Sequence, residues 1–168
     1  MKPLVIVLVS QVVLLVYHQA TTLIDLSPFN GVRHYTLKER CAEAGANCIL
    51  MGLAPIGYAF QIRSLMIFGV VYYFVLFAIE IIIWWIPYFS VPSGRWRRIY
   101  NRLLALGTSN FSPGDTLDHW LAIHHRLHTD TITVLPKIPQ RVVPNLEHMI
   151  LHLWTAITAG ITAAYFFG

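Results

Sequence analysis

The sequence predicts an all-α, polytopic integral membrane protein, a bundle of four transmembrane helices with amphipathic surface helices on its cytoplasmic side. Three observations predict this class. Only 12% of the residues are charged, about half the fraction of ordinary soluble domains. The mean hydropathy is +0.58. Four apolar segments each have nearly the length, about 20 residues, that a helix needs to cross a bilayer. We therefore expect residues 1–168 to form a single membrane domain.

The four spans are expected at about residues 3–21, 41–61, 64–89 and 145–167. The first follows Lys2, and because no cleavage site with a polar start follows it, we interpret it as a retained span rather than a signal peptide. The second is less apolar and contains several small residues, which let helices approach closely. We therefore expect it to be the span most enclosed by the others.

The segment 91–144 is expected to lie on the membrane surface. Within it, residues 95–106 alternate cations with apolar and aromatic residues, a pattern typical of an interfacial helix. A turn then leads to a histidine-rich helix that we expect to be capped by Asp115 or Thr116 and to end at about His128.

The distribution of cations predicts the orientation. Ten of the twelve Lys and Arg residues lie after the first and third spans, and only Lys2 and Arg63 fall on the opposite side. The positive-inside rule therefore places both long segments in the cytoplasm and both termini outside. The cations lie beside apolar spans, and the sequence contains no nucleic-acid-binding motif. The expected partner is therefore the lipid bilayer and not nucleic acid.

Two smaller groups of residues receive structural interpretations. Cys41 and Cys48 would lie about 10 Å apart on a helix, beyond the reach of a disulfide, so we expect free thiols. Aromatic residues close the third span, and Trp84 and Trp85 among them are expected to form an interfacial belt. A wall of an acyl pocket is the alternative for these aromatic side chains.

Histidines provide the candidate functional site. Two pairs are spaced four residues apart, His124 with His128 and His148 with His152, so each pair shares a helix face. Two imidazoles on adjacent turns can hold one metal ion. The sequence therefore predicts a metal centre near the cytoplasmic membrane face. Imidazole ligands suit iron or zinc, and the number of histidines favours two ions over one.

Further residues complete this prediction. Glu80 lies inside the third span, where an ionisable group usually marks a site, and Glu147 precedes His148; both are candidate catalytic residues. Three more histidines are candidate ligands: His18, His119 and His125. The alternatives are an interfacial position for His18 and a solvated one for His125.

The plan of four spans with histidines at the cytoplasmic face resembles that of the membrane-bound di-iron hydroxylases and desaturases. Those families carry boxes of the HxxHH kind after successive spans. Here His124-His125-x-x-His128 has the reverse order and the second pair lies in the final span, so no motif transfers residue by residue. The resemblance implies iron and lipid oxidation.

Three functional hypotheses follow. The leading one is a metal-dependent membrane enzyme, of the hydroxylase or hydrolase kind, that acts on a lipid or another hydrophobic substrate. The second is a non-enzymatic membrane subunit or binding protein in which the histidines and Glu80 form a buried polar network. The third is an electron-transfer protein with haem held between His18 or His148 and His152. A homo-oligomer or a larger membrane complex is compatible with each hypothesis.

Overall fold

The computed structural model of the chain describes residues 3–90, 93–107 and 117–168. Within these ranges the regular structure is entirely helical, which confirms the all-α prediction. The helices are α1 Pro3–Leu23, α2 Leu37–Ala59, α3 Arg63–Phe89, α4 Gly94–Gly107, α5 Leu117–His128 and α6 Leu146–Phe167. The predicted caps Asp115 and Thr116 lie outside the described residues.

The four longest helices pack side by side. α1 packs against α2 and α6, and α3 packs against the same two helices. α1 and α6 are antiparallel, because Ser10 meets Thr158 while Tyr17 meets Glu147. One end of the bundle therefore holds the end of α1 and the start of α6; we call it the histidine end. The opposite end holds Tyr58 at the end of α2.

Three helices, α1, α3 and α6, are long and apolar enough to cross a membrane. α2, the second predicted span, is a helix of 23 residues, but it is less apolar because it contains charged and amide side chains such as Glu43 and Asn47. It also begins four residues earlier than predicted. Thr36 caps it reciprocally with Glu39, whose backbone N–H donates to Thr36 Oγ1 at 3.2 Å and whose carboxylate accepts from the Thr36 N–H at 2.7 Å.

A π-helical turn in α3, Ile81–Trp85, attaches α4 and α5 to the bundle. Pro87 stands five residues after Ile82 and four residues after Ile83. A backbone N–H at this position would bond the Ile82 carbonyl in a π-helix or the Ile83 carbonyl in an α-helix. Because proline has no N–H to donate, both carbonyls can accept from other groups. Tyr100 of α4 donates its hydroxyl to the Ile82 carbonyl at 2.8 Å. Trp120 of α5 donates its indole N–H to the Ile83 carbonyl at 3.0 Å. The widened turn thereby fixes the histidine-rich helix over the end of α3.

Candidate metal centre

The two histidine pairs lie side by side at the histidine end. Their ring centroids are 5.1 Å apart between His124 and His128, 5.1 Å between His128 and His148, and 5.9 Å between His148 and His152. His124, His128 and His152 are buried, and His148 is largely so. The four rings therefore form one continuous row, which we call the imidazole arc. The structure brings together the four residues on which the sequence prediction depended.

Two tryptophans of the π-helical turn pack against this arc. The Trp84 ring centroid lies 3.9 Å from that of His148 and 5.2 Å from those of His124 and His128. Trp85 donates its indole N–H to His152 Nδ1 at 3.0 Å. Trp84 is only 7% exposed, so its expected place in an interfacial belt is wrong. The π-helical turn directs both indoles towards the histidines, and Pro87 is the sequence feature from which this irregularity could have been predicted.

Hydrogen bonds orient two of the four imidazoles. His124 Nε2 lies 3.0 Å from the Val143 carbonyl, which can only accept, so Nε2 carries the proton and Nδ1 keeps a lone pair. His148 Nδ1 lies 2.7 Å from Asn145 Oδ1, which leaves the lone pair on Nε2. Metal-ligating histidines are commonly held in this way, with one ring nitrogen donating to an oxygen. The sequence predicted neither partner for the imidazoles, although Asn145 is the N-cap of α6, a position whose side-chain oxygen reaches forward to the residue three positions on, here His148.

The other two imidazoles accept hydrogen bonds through Nδ1. His152 accepts from Trp85, and His128 Nδ1 lies 3.5 Å from the amide nitrogen of Asn145. The Nε2 atoms of His128 and His152 are buried and have no hydrogen-bond partner among the described residues. Burial lowers the pKa of His124 to about 4, and it lowers the pKa of His128 well below its ordinary value. Both rings are therefore neutral near pH 7, the state in which imidazole binds metals.

The ring nitrogens do not converge as the side chains stand. Within residues 3–90, 93–107 and 117–168, no group of three or more His, Cys, Asp or Glu side chains is arranged to hold a metal ion. A shared ion would therefore require rotation of the imidazoles and displacement of Trp84, whose indole lies against all four rings.

The predicted catalytic carboxylates occupy two different places. Glu147 Oε2 lies 3.5 Å from His148 Nδ1, at the start of α6. Glu80 lies deeper in the bundle, where its Oε1 accepts from the Thr155 hydroxyl at 2.9 Å. Both carboxylates are buried. Glu147 thus adjoins the arc, whereas Glu80 is bonded to Thr155, three residues beyond His152 on α6.

Of the three additional candidate histidines, His18 lies within electrostatic range of His148, whereas the other two are exposed. His18 is buried at the end of α1, where its Nδ1 lies 3.4 Å from the Thr22 hydroxyl. His119 and His125 lie on the exposed face of α5, because its buried face is formed by residues such as Trp120 and His124. The exposed position of His125 agrees with the solvated alternative.

Known proteins offer no guide to what this cluster does. Comparisons of the chain with protein-family models, with curated proteins and with solved structures find no match. The function is therefore inferred from the arc and its surroundings alone.

Proposed function

We propose that the chain is a membrane-embedded, metal-dependent enzyme that acts on a lipid or another hydrophobic substrate. In this proposal α2 crosses the membrane together with α1, α3 and α6. The long segments lie in the cytoplasm and both termini lie outside, as the distribution of cations favours. The observation that carries the proposal is the imidazole arc, in which two distant pairs of histidines lie side by side in a buried position.

The spacing of the rings suits a shared ion. A metal–nitrogen bond of about 2.0–2.1 Å places each ring centroid about 3.2 Å from the ion, so two rings of a tetrahedral site lie about 5.2 Å apart. The separation is 5.1 Å both for His124 with His128 and for His128 with His148. We assign these three residues as ligands, an assignment that requires the rings of His124 and His148 to come equally close to each other when the ion binds. His152, at 5.9 Å from His148, takes the fourth position or serves a second ion.

Neighbouring residues have distinct roles in this proposal. The Val143 carbonyl and Asn145 hold His124 and His148 with one nitrogen free to bind iron or zinc. A coordination position left open by the protein would activate water or dioxygen beside an apolar substrate. Glu147 is placed to exchange protons next to His148, and Glu80 does so from within the bundle.

A specific observation favours a second candidate, a non-enzymatic protein with a buried polar network. Trp84 stacks on His148 at 3.9 Å, and Trp85 already occupies His152 Nδ1. These contacts stabilise the arc without an ion. The measurement of bound metal distinguishes the two candidates.

The first experiment is elemental analysis of the protein purified in detergent without added metal. We expect about one or two equivalents of iron or zinc per chain. Joint replacement of His128 and His148 by Gln should lower the content at least about tenfold, because two of three ligands are lost. His125→Ala, an exposed histidine on the same helix, is the matched control and should retain the metal.

Three results would contradict this proposal. Absence of transition metal from the wild-type protein would favour the polar network. A Soret absorption band would identify haem instead. Stoichiometric metal in the double variant, with helix content unchanged by circular dichroism, would refute the ligand assignment.

Enzymatic activity needs a separate test. The metal-loaded protein is incubated with a mixed polar lipid extract, and the lipids are compared by mass spectrometry with those from the double variant. A hydrolysed or oxygenated lipid that forms only with the wild-type protein supports an enzyme. Stoichiometric metal without any product would indicate a metal-binding protein that does not act on these lipids.

A further inference from the structure

A stripe of buried polar side chains on α6 continues from the imidazole arc towards the opposite end of the bundle. Thr155, Thr158 and Thr162 are each completely buried, and their spacing of three and four residues places them on one helix face. From His148 to Thr162 the helix rises about 21 Å, which is about two thirds of the hydrocarbon thickness of a bilayer. The stripe therefore extends through most of a membrane-spanning segment.

Each of these threonines meets a polar group on another helix. The contacts, in order from the histidine end, are the Thr155 hydroxyl to Glu80 Oε1 (2.9 Å), the Ser10 hydroxyl with that of Thr158 (2.8 Å), and Gln11 Nε2 to Thr162 Oγ1 (3.1 Å). Tyr58 at the opposite end donates its hydroxyl to the Thr162 carbonyl at 3.0 Å. Three neighbouring helices thus face α6 with polar groups at successive depths.

Several polar atoms beside this stripe keep unused hydrogen-bonding capacity. Glu80 Oε2, the Tyr73 hydroxyl and Gln11 Oε1 are buried without a hydrogen-bond partner within the described part of the chain. Each such atom destabilises the fold when it is left unpaired in an apolar interior. Ionisable and polar groups kept inside a membrane segment commonly mark a proton or ion pathway.

The histidine end of the stripe adjoins a polar cavity. This cavity measures about 30 Å³, enough for one or two water molecules. Its lining includes Glu43, Glu147, His128 and His148. The cavity therefore brings carboxylates and space for water to the start of α6, where the stripe begins.

We propose that the polar stripe is a proton path through the bundle, from this cavity to Tyr58 at the opposite end, with Glu80 as its central proton carrier. Hydroxyl and carboxyl groups accept a proton on one side and release one on the other, whereas the Gln11 amide and the Thr162 carbonyl only hold these groups in place. In this proposal water molecules complete the relay between successive hydroxyls, including the step from the Thr162 hydroxyl to that of Tyr58. One proton leaves the path for each proton that enters, so no group changes its net protonation. The cavity at the start of the path is shared with two of the assigned metal ligands, His128 and His148. The contacts along the stripe, from Thr155 to Thr162, involve no assigned ligand, so the path from Glu80 onwards does not require the metal ion.

Proton flux into vesicles tests the path directly. The full chain is reconstituted into phosphatidylcholine vesicles that contain potassium, and valinomycin then generates an inside-negative potential. Internal acidification is followed with a trapped pH-sensitive dye. We expect acidification at least about tenfold faster than in protein-free vesicles, a difference that corresponds to about 1.4 kcal/mol in the barrier.

Variants test the individual groups. Glu80→Gln keeps an acceptor for Thr155 but loses the acid, and we expect its flux to fall to the protein-free rate. Thr162→Val should reduce the flux, and Thr162→Ser, which keeps the hydroxyl, should restore it. Glu39→Gln changes a partly exposed carboxylate outside the stripe and is the matched control, with wild-type flux.

Wild-type flux equal to that of protein-free vesicles would overturn the proposal, as would wild-type flux in correctly incorporated Glu80→Gln protein. Equal flux in the Val and Ser variants of Thr162 would exclude its hydroxyl from the path. Metal content is measured on the same preparations. The proton path is therefore judged by the flux and the proposed metal site by the bound metal, and either result can be negative without the other.

Discussion

Replacement of Asn145 by Ala tests the residue that joins the fold to the arc. Asn145 is completely buried, and its Oδ1 accepts two hydrogen bonds from His148. One comes from the backbone N–H at 3.0 Å and caps α6, and the other comes from the ring Nδ1 at 2.7 Å. The substitution therefore removes a helix cap and leaves a buried imidazole N–H without this acceptor.

The expected loss follows from these two bonds. Loss of an N-cap costs about 1 kcal/mol, and a buried donor left unpaired costs about 1–3 kcal/mol, so Asn145→Ala should lower the free energy of unfolding by about 2–4 kcal/mol. Thr36→Ala is the matched control. It removes the cap of α2 at an exposed position and should cost only about 1 kcal/mol.

Unfolding in mixed micelles of a mild detergent and dodecyl sulfate, followed by far-ultraviolet circular dichroism, measures both variants. If Asn145→Ala destabilises the protein no more than Thr36→Ala does, the bond to the imidazole contributes nothing and the reasoning is refuted. The proposed metal site adds a second readout. Loss of this orienting amide should weaken metal binding about 10–100-fold, whereas Thr36→Ala should leave it unchanged.

Three further predictions concern the fold and the orientation. A Cβ on Gly57 would lie 2.8 Å from the backbone of α3, so Gly57→Ala should lower the free energy of unfolding by about 1–3 kcal/mol. Gly52 has open space around it, so Gly52→Ala should not destabilise the protein. Equal free energies of unfolding for the two variants would contradict this close approach. Hydrogen bonds from the backbone and side chain of Thr36 lower the pKa of Glu39 from its ordinary value, so the folded state binds this proton less tightly than the unfolded state. The resulting stabilisation is present above pH 4.5 and is lost as the pH falls through the lowered pKa; Glu39→Gln should remove this part of the acid dependence in unfolding titrations. In a Cys48→Ser background, an impermeant maleimide should label the exposed Cys41 in sealed vesicles of known orientation only from the cytoplasmic face, and labelling only from the other face would reverse the proposed topology.

Local features of the fold were predictable because they depend on neighbours in sequence. Runs of apolar residues predicted α1, α3 and α6 nearly to their ends. The start of α2 was misplaced because its first turn is charged, and the capping box at Thr36 outweighs the absence of apolar residues there. The shared face of each histidine pair also followed from helical periodicity alone.

The sequence by itself determined the α-helical class and two histidine pairs on helix faces, and three of its four predicted spans are helices long and apolar enough to cross a membrane. Helical hydrogen bonds and hydropathy act over a few residues, so they can be read along the chain. Only the tertiary structure decided that the pairs meet, that Trp84 lies among them, and that polar groups of other helices face the threonines of α6. These contacts join residues up to 151 positions apart, and helix packing, not local spacing, sets which side chains meet at that range.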